Sequence, residues 1–299
     1  MRQAIIDIGS NSMRLTVYET DGQAFKILFK EKAMTGLAGY VEDGVLSAEG
    51  IECAYNDLLT FRETLEALDI ANVAVFATAS LRNVRNTAEA VLAIKAATGY
   101  HVEVLTGEEE AFFGFRGSMQ DVPLTSGAFI DIGGASTEVV SFQNDQVIRE
   151  VSFPVGSLRL YKDCVKNIMP GEGSVKRIRK VIREEIDECK EFSFDDRTPL
   201  VCVGGTARAV LKLAKKMYGL PSGCHSVTPE QLHEICAKLC EGDKAMTQLL
   251  LKVEPERIHT MVPGVMILDH ICRKFHAEEI IVCKYGVREG YLCQKMLNK

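Results

Sequence analysis

The stretch FIDIGGASTEVVSF, residues 129–142, decides the fold, because the chain contains a second version of it. That version is IIDIGSNSMRLTVYE, residues 5–19. Both consist of an apolar strand, Asp-Ile-Gly, a few small residues and a second apolar strand, which is the pattern of a hairpin with a small-residue turn. Asp7 and Asp131 occupy equivalent places. The spacing between them far exceeds a solenoid repeat, so the sequence indicates a duplicated domain.

Each copy is followed by alternating strand and helix signals, which predict an α/β fold. In the first half a helix over 48–68 begins after Ser47, and a strand at 72–82 runs into a polar loop. In the second half PLVCVGGTARAVLKLAKKM, residues 199–217, predicts a strand, a double glycine and a helix. The turn-rich MQDVPLTSG, residues 119–127, is the predicted boundary, which divides the chain into domains 1–122 and 123–286.

Length and composition describe an ordinary globular protein. The 299 residues suit two domains, and the chain is 46% apolar and 25% charged. No apolar run approaches the ~18 residues of a membrane span, and the N-terminal MRQAIID has no signal-peptide features, so we expect a cytoplasmic protein without a membrane partner. The net charge of −6 argues against a nucleic-acid partner. Any phosphate site must therefore be formed by a local group of backbone amides, arginine side chains and a metal ion rather than by the net charge of the protein.

Cysteine usage favours reduced, buried thiols rather than disulfides or metal sites. The chain has ten cysteines and no Cys-x-x-Cys pair, and most of them stand in apolar runs. His233, Cys236 and Cys240 share one helix face, which is the only spacing with a hint of metal ligation. A zinc site needs a fourth ligand, so we interpret these three residues as a plain helix face.

The Asp-Ile-Gly turns have a direct chemical use. Glycine permits close ligand approach, the N–H groups of such a turn bind anions, and a strand-end aspartate suits a cation. Asp7 and Asp131 are therefore candidate metal ligands. A third glycine turn, VGGTARA at 203–209, opens a helix and adds its dipole. The candidate phosphate-binding residues of the three turns are Gly9, Ser10, Asn11 and Ser12; Gly133, Gly134, Ala135, Ser136 and Thr137; and Gly204, Gly205 and Thr206.

The two copies differ two residues after the turn. The first copy carries Arg14, which we expect to face phosphate, and the second carries Glu138. A carboxylate beside Asp131 is suited to position Mg²⁺ or an attacking water. The alternative is that Arg14 and Glu138 are solvent-facing strand residues.

Two charged segments have simple structural explanations. In LTGEEEAFFGFRG, residues 105–117, Thr106 and Glu109 form a capping box, and acidic residues suit a first helical turn. Capping and the helix dipole explain Glu108 and Glu109, whereas the role of Glu110 needs a separate explanation. In KRIRKVIR, residues 176–183, the basic side chains precede EEIDE, so pairs such as Lys180 with Glu184 and Arg183 with Asp187 predict a solvated helix face rather than a polyphosphate track.

Taken as an ordered set, these motifs resemble the exopolyphosphatase and guanosine pentaphosphate phosphohydrolase (Ppx/GppA) family of the acetate kinase, sugar kinase, chaperone and actin superfamily. The matching stretches are DIGSNSMRL (7–15), FATASLRNVRN (76–86), LTGEEEAFFGFRG (105–117), DIGGASTEVV (131–140), FPVGSLRL (153–160), VGGTAR (203–208) and YGVREG (285–290). The resemblance implies two duplicated actin-like (ribonuclease H-like) domains with a phosphate-binding cleft between them, the C-terminal helix 287–299 joining the first.

The resemblance also implies a reaction. Glu110 matches the family's general base, which activates water against a terminal phosphate, and Arg82 matches a phosphate ligand. Glu138 completes the catalytic set, with Mg²⁺ or another divalent cation as cofactor. The implied substrates are inorganic polyphosphate and guanosine pentaphosphate (pppGpp), the latter a molecule of the stringent response, and the implied assembly is a homodimer. Arg288 in YGVREG is a weaker candidate, because an Arg–Glu pair at a helix start has a structural explanation.

Two departures and two rivals remain. Ala135 replaces the third glycine of the family turn, which costs little only if its φ is negative. The chain also ends before the extra helical domains of longer members, which puts processive action on long polyphosphate in doubt. One rival is an ATP-dependent small-molecule kinase of the same superfamily. The other is a non-catalytic sensor of guanosine tetra- or pentaphosphate, which would not need Glu110.

Overall fold

The structure is a computed structural model that describes residues 1–189 and 199–297. The chain divides into two compact units. The first comprises Met1–Phe113 and Arg288–Lys299, and the second comprises Gly114–Val287. The division falls after Phe113, a few residues before the turn-rich segment from which the sequence predicts it, and the domain bounds 1–122 and 123–286 stay a prediction.

The first unit is built on a five-stranded sheet with the order β3-β2-β1-β6-β7. Strands β1–β3 form an antiparallel meander, and β6 and β7 then continue parallel to β1. Its strands are β1 Arg2–Ile8, β2 Met13–Asp21, β3 Ala24–Ala33, the small hairpin β4 Val41–Glu42 and β5 Val45–Leu46, β6 Val73–Ala77 and β7 Val102–Val104. Its helices are α1 Ala48–Ala67, α2 Ala79–Arg82, α3 Thr87–Thr98 and the start of α4 Gly107–Ser118.

The second unit repeats this plan with one added edge strand, in the order β10-β9-β8-β11-β13-β12. Its strands are β8 Ser126–Ile132, β9 Thr137–Gln143, β10 Gln146–Phe153, β11 Leu200–Val203, β12 Ser226–Val227 and β13 Ile280–Val282. Its helices are α5 Ser157–Cys164, α6 Glu172–Asp187, α7 Gly204–Tyr218, α8 Pro229–Glu241, α9 Lys244–Val253 and α10 Met261–Lys274. The last helix, α11 Val287–Tyr291, continues as a π-helical turn over Leu292–Met296 and returns the chain to the first unit.

Strand register confirms the duplication. Asp7 pairs with Arg14 across β1 and β2, and Asp131 pairs with Glu138 across β8 and β9. In each unit a parallel strand, β6 or β11, lies on the other side of the aspartate strand. Because parallel strands end at the same edge of a sheet, the chain that follows β6 or β11 reaches the edge where the aspartate stands.

Burial explains the residue patterns of these strands. The central β1 is buried from Gln3 to Ile6, whereas the edge strand β3 alternates between exposed and half-buried residues. A strand covered on both faces needs a continuous apolar run, and an edge strand does not. Six of the ten cysteines are buried, as expected for thiols that act as small hydrophobes. None of the helices in the described residues combines the length and apolar composition that a bilayer crossing requires.

The predicted helix start at Ser47 is confirmed, since its side chain accepts a hydrogen bond from Gly50 N–H. One element differs: residues 72–82 are predicted as a strand that runs into a polar loop, and the strand is present as β6, but the short helix α2 follows it in place of the loop. Leu81 of α2 is fully buried in the core of the first unit. Packing of this one side chain favours a helical turn where the local sequence reads as a polar loop.

Candidate active site

The first glycine turn, residues 9–12, is compact and locked by its own backbone. A Cβ placed on Gly9 would lie 2.8 Å from the Ser12 carbonyl oxygen, so this position requires glycine. The carbonyl groups of Ser10 and Asn11 accept hydrogen bonds from the backbone of residues 38 and 36, at 3.0 Å each. The turn is therefore held from outside through its carbonyl oxygens.

The second turn, residues 133–136, has the same construction. A Cβ on Gly133 would lie 3.0 Å from the Ser136 carbonyl oxygen, which also accepts the Gly133 N–H at 2.9 Å. The start of α5 donates to the carbonyl groups of Gly133 and Gly134. Within the described part of the chain, the N–H groups of Gly134 and Ala135 have no acceptor. Backbone amides without acceptors are the groups that bind an anion in such a turn.

Ala135 stands where the family turn has a third glycine, and the backbone at Ala135 and Gly156 shows what this replacement requires. Ala135 is not among the non-glycine residues with positive φ, so its methyl group imposes no backbone strain. Gly156 passes so close that a Cβ there would lie 2.5 Å from the Ala135 nitrogen. The close approach that glycine permits is thus needed at Gly156, a position that sequence reasoning did not single out.

The third turn places Gly204 against the strand-end carboxylate of the second unit. Gly204 has φ +85°, and a Cβ there would lie 2.6 Å from Asp131 Oδ1. The helix α7 begins at this residue, so its N-terminal N–H groups and dipole face the same region. The turn therefore combines a helix N-terminus with a carboxylate.

Arg257 is a basic residue of this region that no sequence motif indicates. Its guanidinium fills the place where a side chain on Gly205 would stand, so that a Cβ there would clash with it. Its Nε lies 4.0 Å from Glu254 Oε2, and burial lowers the pKa of the guanidinium from its ordinary value. The isolated PER tripeptide carries no recognisable signal for this contact.

In the first unit, the strand-end aspartate faces arginine. Arg288 Nε lies 3.8 Å from Asp7 Oδ2, and its Nη1 donates to Thr16 Oγ1 at 2.8 Å. Burial raises the pKa of Asp7, while the charges of Arg288 and Arg14 oppose that shift. Arg288 therefore contacts the very residue that the hairpin presents at its end.

The residue after Arg288 is also part of this arrangement. Glu289 is 1% exposed and accepts a hydrogen bond from the Tyr18 hydroxyl at 3.0 Å. Burial and the charge of Glu289 raise the pKa of Tyr18 well above its ordinary value. The neighbouring Gly290 packs directly on α4, since a Cβ there would lie 1.8 Å from the Phe113 carbonyl oxygen. Sequence reasoning missed Glu289 because its partner is 271 residues away.

Glu138 is not a solvent-facing strand residue. It is 1% exposed, and its Oε1 accepts hydrogen bonds from Ser136 Oγ at 2.7 Å and from Ser152 Oγ at 2.8 Å. Two hydroxyl donors fix the orientation of the carboxylate beside Asp131. The alternative interpretation of Glu138 as a surface residue is wrong. Arg14, by contrast, is half-buried.

The three consecutive glutamates of α4 separate by burial. Glu108 is exposed, and Glu109 closes the predicted capping box with Thr106 through hydrogen bonds of 2.9 and 3.1 Å. Glu110 is buried, with 10% of its side chain exposed, and its Oε2 lies 2.7 Å from Arg82 Nη1. The Arg82 guanidinium donates to this oxygen, and such a charge-assisted hydrogen bond fixes the orientation of the Glu110 carboxylate.

Arg82 is held in place from two sides. Its Nη1 donates to the Leu105 carbonyl at 3.1 Å as well as to Glu110. A guanidinium presents its N–H donors in a rigid fork, which matches the geometry of phosphate oxygens. The predicted phosphate contact of Arg82 stays a prediction.

The candidate ligands of a divalent cation are the carboxylates of Asp7, Asp131 and Glu138. Across residues 1–189 and 199–297, no three His, Cys, Asp or Glu side chains are grouped as metal ligands. Mg²⁺, however, typically takes one or two carboxylates and completes its shell with water and phosphate oxygens. The cross-strand pair Asp131 and Glu138 fits that requirement, whereas Asp7 already faces Arg288.

His233, Cys236 and Cys240 all lie on α8, and their interpretation as a plain helix face stays a prediction. His233 Nδ1 is bonded to Asp269 Oδ1, and Cys236 is buried. A hydrogen bond with Cys240, together with burial, raises the pKa of Cys236, and the same hydrogen bond lowers the pKa of Cys240. These contacts do not converge on a metal position.

Comparisons with known proteins agree with the geometry. The Ppx/GppA phosphatase family matches residues 16–299. Exopolyphosphatase 1 of Mycobacterium tuberculosis is 23% identical over 99% of this chain and 88% of its own length. The guanosine-5'-triphosphate,3'-diphosphate pyrophosphatase of Pseudoalteromonas translucida is 28% identical over 97% of this chain, which spans only 58% of that relative.

A solved structure supports the same assignment. The Aquifex aeolicus PPX-GPPA enzyme has a TM-score of 0.78 and 26% identity over 99% of both chains. This likeness confirms the predicted α/β fold with two actin-like domains. Because the family match extends over almost the whole chain, the protein belongs to the Ppx/GppA phosphatase family.

Proposed function

We propose that the protein hydrolyses a phosphoanhydride, releasing the terminal phosphate of inorganic polyphosphate, the 5'-phosphate of pppGpp, or both. Family membership supports the hydrolase class, and relatives bear the names of both activities. The glycine turns support a substrate with a run of phosphate groups, since each offers backbone amides to an anion.

The observation that carries the proposal is the environment of Glu110. It is the one buried member of three adjacent glutamates, and it is paired with Arg82 at 2.7 Å. A helix start needs acidic residues for capping and for the dipole, but neither purpose requires one of them to be buried. We assign Glu110 as the general base, with Arg82 holding its carboxylate in position.

In the proposed step, Glu110 takes a proton from a water molecule whose oxygen forms a bond to the terminal phosphorus. The bond from that phosphorus to the bridging oxygen breaks, and the shortened chain leaves with the bridging oxygen's negative charge. No covalent enzyme intermediate is needed. The transition state spreads negative charge over the phosphoryl oxygens, which turn amides and arginine side chains stabilise.

Within the second unit, Glu138 and Asp131 are assigned to hold a divalent cation. Mg²⁺ supplies charge neutralisation at the phosphate oxygens when bound. Glu138 is suited to this role because Ser136 and Ser152 fix its carboxylate. In the first unit, Arg14 is assigned to contact the phosphates.

The test measures phosphate release from polyphosphates of defined length and from pppGpp, side by side, with wild type and Glu110→Gln. We expect release to fall by about 10²–10⁴-fold in the variant, the usual contribution of a general base, while substrate binding persists. Glu108→Gln removes the same charge from the same helical turn at an exposed position and should retain wild-type rates.

Four outcomes would contradict the proposal. Absence of release from every substrate by wild type would exclude the hydrolase. Transfer of phosphate only to an added small-molecule acceptor would indicate the kinase. Unchanged turnover in Glu110→Gln would remove Glu110 from the mechanism, and binding of pppGpp without any turnover would favour the sensor.

A further inference from the structure

The second unit contains a cavity that the proposed reaction does not use. It has a volume of about 320 Å³ and opens between α6, α8 and α10. Its lining residues are Arg179, Ile182, Arg183, Cys236, Met266, Asp269, His270 and Arg273. Positive groups dominate the rim, and Ile182, Met266 and Cys236 form an apolar floor.

The cavity is separate from the glycine turns of the same unit. Gly264 on α10 packs on Thr206 of the third turn, where a Cβ would lie 2.6 Å from Thr206 Oγ1. Met266 of the cavity floor follows Gly264 by only two residues, but at about 100° per residue it lies on nearly the opposite side of α10. His270 and Arg273 stand further along the same helix, which at 1.5 Å per residue places them about 9–14 Å away along the axis. A ligand in this cavity would therefore be distinct from a phosphate held at the turns.

The arginines of α6 are not matched by carboxylates. Arg179 and Arg183 stand one turn apart on the same face, a like-charge arrangement that destabilises a helix. Neither has an ion-pair partner among residues 1–189 and 199–297. Asp187, the partner predicted for Arg183, instead contacts His270 Nε2 at 2.8 Å and Lys274 Nζ at 3.4 Å. The predicted Lys180–Glu184 pair is present at 3.5 Å.

Among the described residues of the lining, Asp269 is the one carboxylate, and it already has two hydrogen-bond partners. Asp269 is bonded to His233 and accepts a hydrogen bond from Arg273 Nε at 3.0 Å. The lining thus carries three guanidinium groups against one carboxylate. In a chain with a net charge of −6, such a local excess calls for an anion from outside the described fold.

We infer that this cavity binds a small phosphorylated molecule, with its phosphate at Arg179 and Arg183 and its apolar part over Ile182 and Met266. Guanidinium groups match phosphate oxygens in pairs, and two of them one turn apart neutralise a dianion. The volume lies at the lower end of the range for small-molecule sites, so the ligand is a compact phosphomonoester rather than a long chain.

Cys240 offers a readout beside this site, because its neighbour Cys236 lines the cavity. It lies on α8 beside Cys236, and the charge of Arg179 acts on its thiol. With phenyl phosphate as probe, we expect the alkylation of Cys240 by iodoacetamide to slow in a saturable way, as followed by peptide mass spectrometry. Alkylation of Cys53 in the first unit should not change.

The matched variants are Arg183→Gln and Lys180→Gln, which remove the same charge from exposed positions of the same helix. Arg183→Gln should raise the half-protecting concentration of phenyl phosphate at least ~10-fold, the loss expected for a charge-assisted contact. Lys180→Gln should leave it within ~2-fold, because a solvated side chain contributes little. Equal thermal melting of both variants checks folding.

The site is wrong if phenyl phosphate gives no protection at millimolar concentration, or if both variants lose protection equally. Protection by the dicarboxylate phthalate as strong as that by phenyl phosphate would overturn the assignment to phosphate. Inorganic phosphate as a third probe separates recognition of the phosphate group from contact with the apolar floor. Because the readout is binding, failure of the proposed hydrolase would not affect it.

Discussion

In the first unit the aspartate at the strand end is paired with an arginine, whereas in the second it is paired with a glutamate. The backbones around the two pairs are alike, with four-residue turns whose first glycine packs on the fourth carbonyl. One hairpin therefore surrounds its aspartate with positive charge, and the other adds a second carboxylate. Duplication supplied the scaffold, and this pair of substitutions is the basis of the proposed division between anion binding in the first unit and cation or water binding in the second.

A second difference lies in the residues that end β6 and follow β11, the strands that run parallel to the aspartate strands β1 and β8. In the first unit the register places Ala77 beside Ile8, and this residue is fully buried. In the second unit the chain leaves β11 through Gly204 with positive φ. Only the second unit thus brings a helix N-terminus onto its aspartate by way of a glycine.

The strongest test of the comparison is Glu138→Gln against Arg14→Gln. We expect Glu138→Gln to lower kcat by about 10²-fold or more, because a positioned carboxylate acts on the transition state. Arg14→Gln should mainly raise KM, by about 10-fold, since a phosphate contact is made in the ground state too. The effects are measured by steady-state kinetics of phosphate release. Ser152→Ala, which removes one hydrogen bond to Glu138, should lower kcat less than Glu138→Gln does. Equal effects of the two variants on kcat would show that the hairpins are not divided in this way.

Gly204→Ala should destabilise the protein by about 2–3 kcal/mol, from a strained backbone and the close contact with Asp131. The control is Gly219→Ala, whose φ is also positive but whose Cβ would meet nothing within 4 Å. It should cost only about 1–2 kcal/mol. Urea unfolding measures both, and equal losses would mean that the approach to Asp131 carries no energetic weight.

The raised pKa of Asp7 predicts a pH dependence of stability. Between the ordinary value of 3.8 and the raised value, the folded protein binds more protons than the unfolded chain. The free energy of unfolding of wild type should therefore fall with rising pH across that window, relative to Asp7→Asn, which does not titrate. Denaturant unfolding in EDTA buffers between acid and neutral pH measures the difference. Wild-type stability that stays constant or rises with pH, relative to Asp7→Asn, would contradict the burial effect.

The smallest effect is expected for Ala135→Gly, which restores the family's third glycine. Because the φ of Ala135 is not positive, glycine relieves no strain and only adds freedom to the unfolded chain. Stability should fall by about 0.4–1 kcal/mol, with kcat and KM within about twofold of wild type. Thermal unfolding and steady-state kinetics are sufficient. A gain in stability would show that the alanine methyl group is strained.

Local signals predicted well what depends on residues close in sequence. The capping box of Thr106 and Glu109 and the helix start at Ser47 form as expected, because each needs only a turn of chain. The pairing of Arg183 with Asp187 failed although its spacing was correct. On α6, Asp187 is drawn to His270 and Lys274 of another helix, so tertiary packing outweighs a weak i, i+4 preference.

By itself the sequence determined the duplicated hairpins, their glycine turns and the exchange of arginine for glutamate, since these are written in contiguous residues with a clear period. Only the tertiary structure decided which of three adjacent glutamates is buried, and that Glu138 is enclosed by Ser136 and Ser152. It also decided that Glu289 contacts Tyr18 and that Arg257 covers Gly205. Burial and long-range contact arise from the packing of distant segments, and a side chain's identity does not specify them.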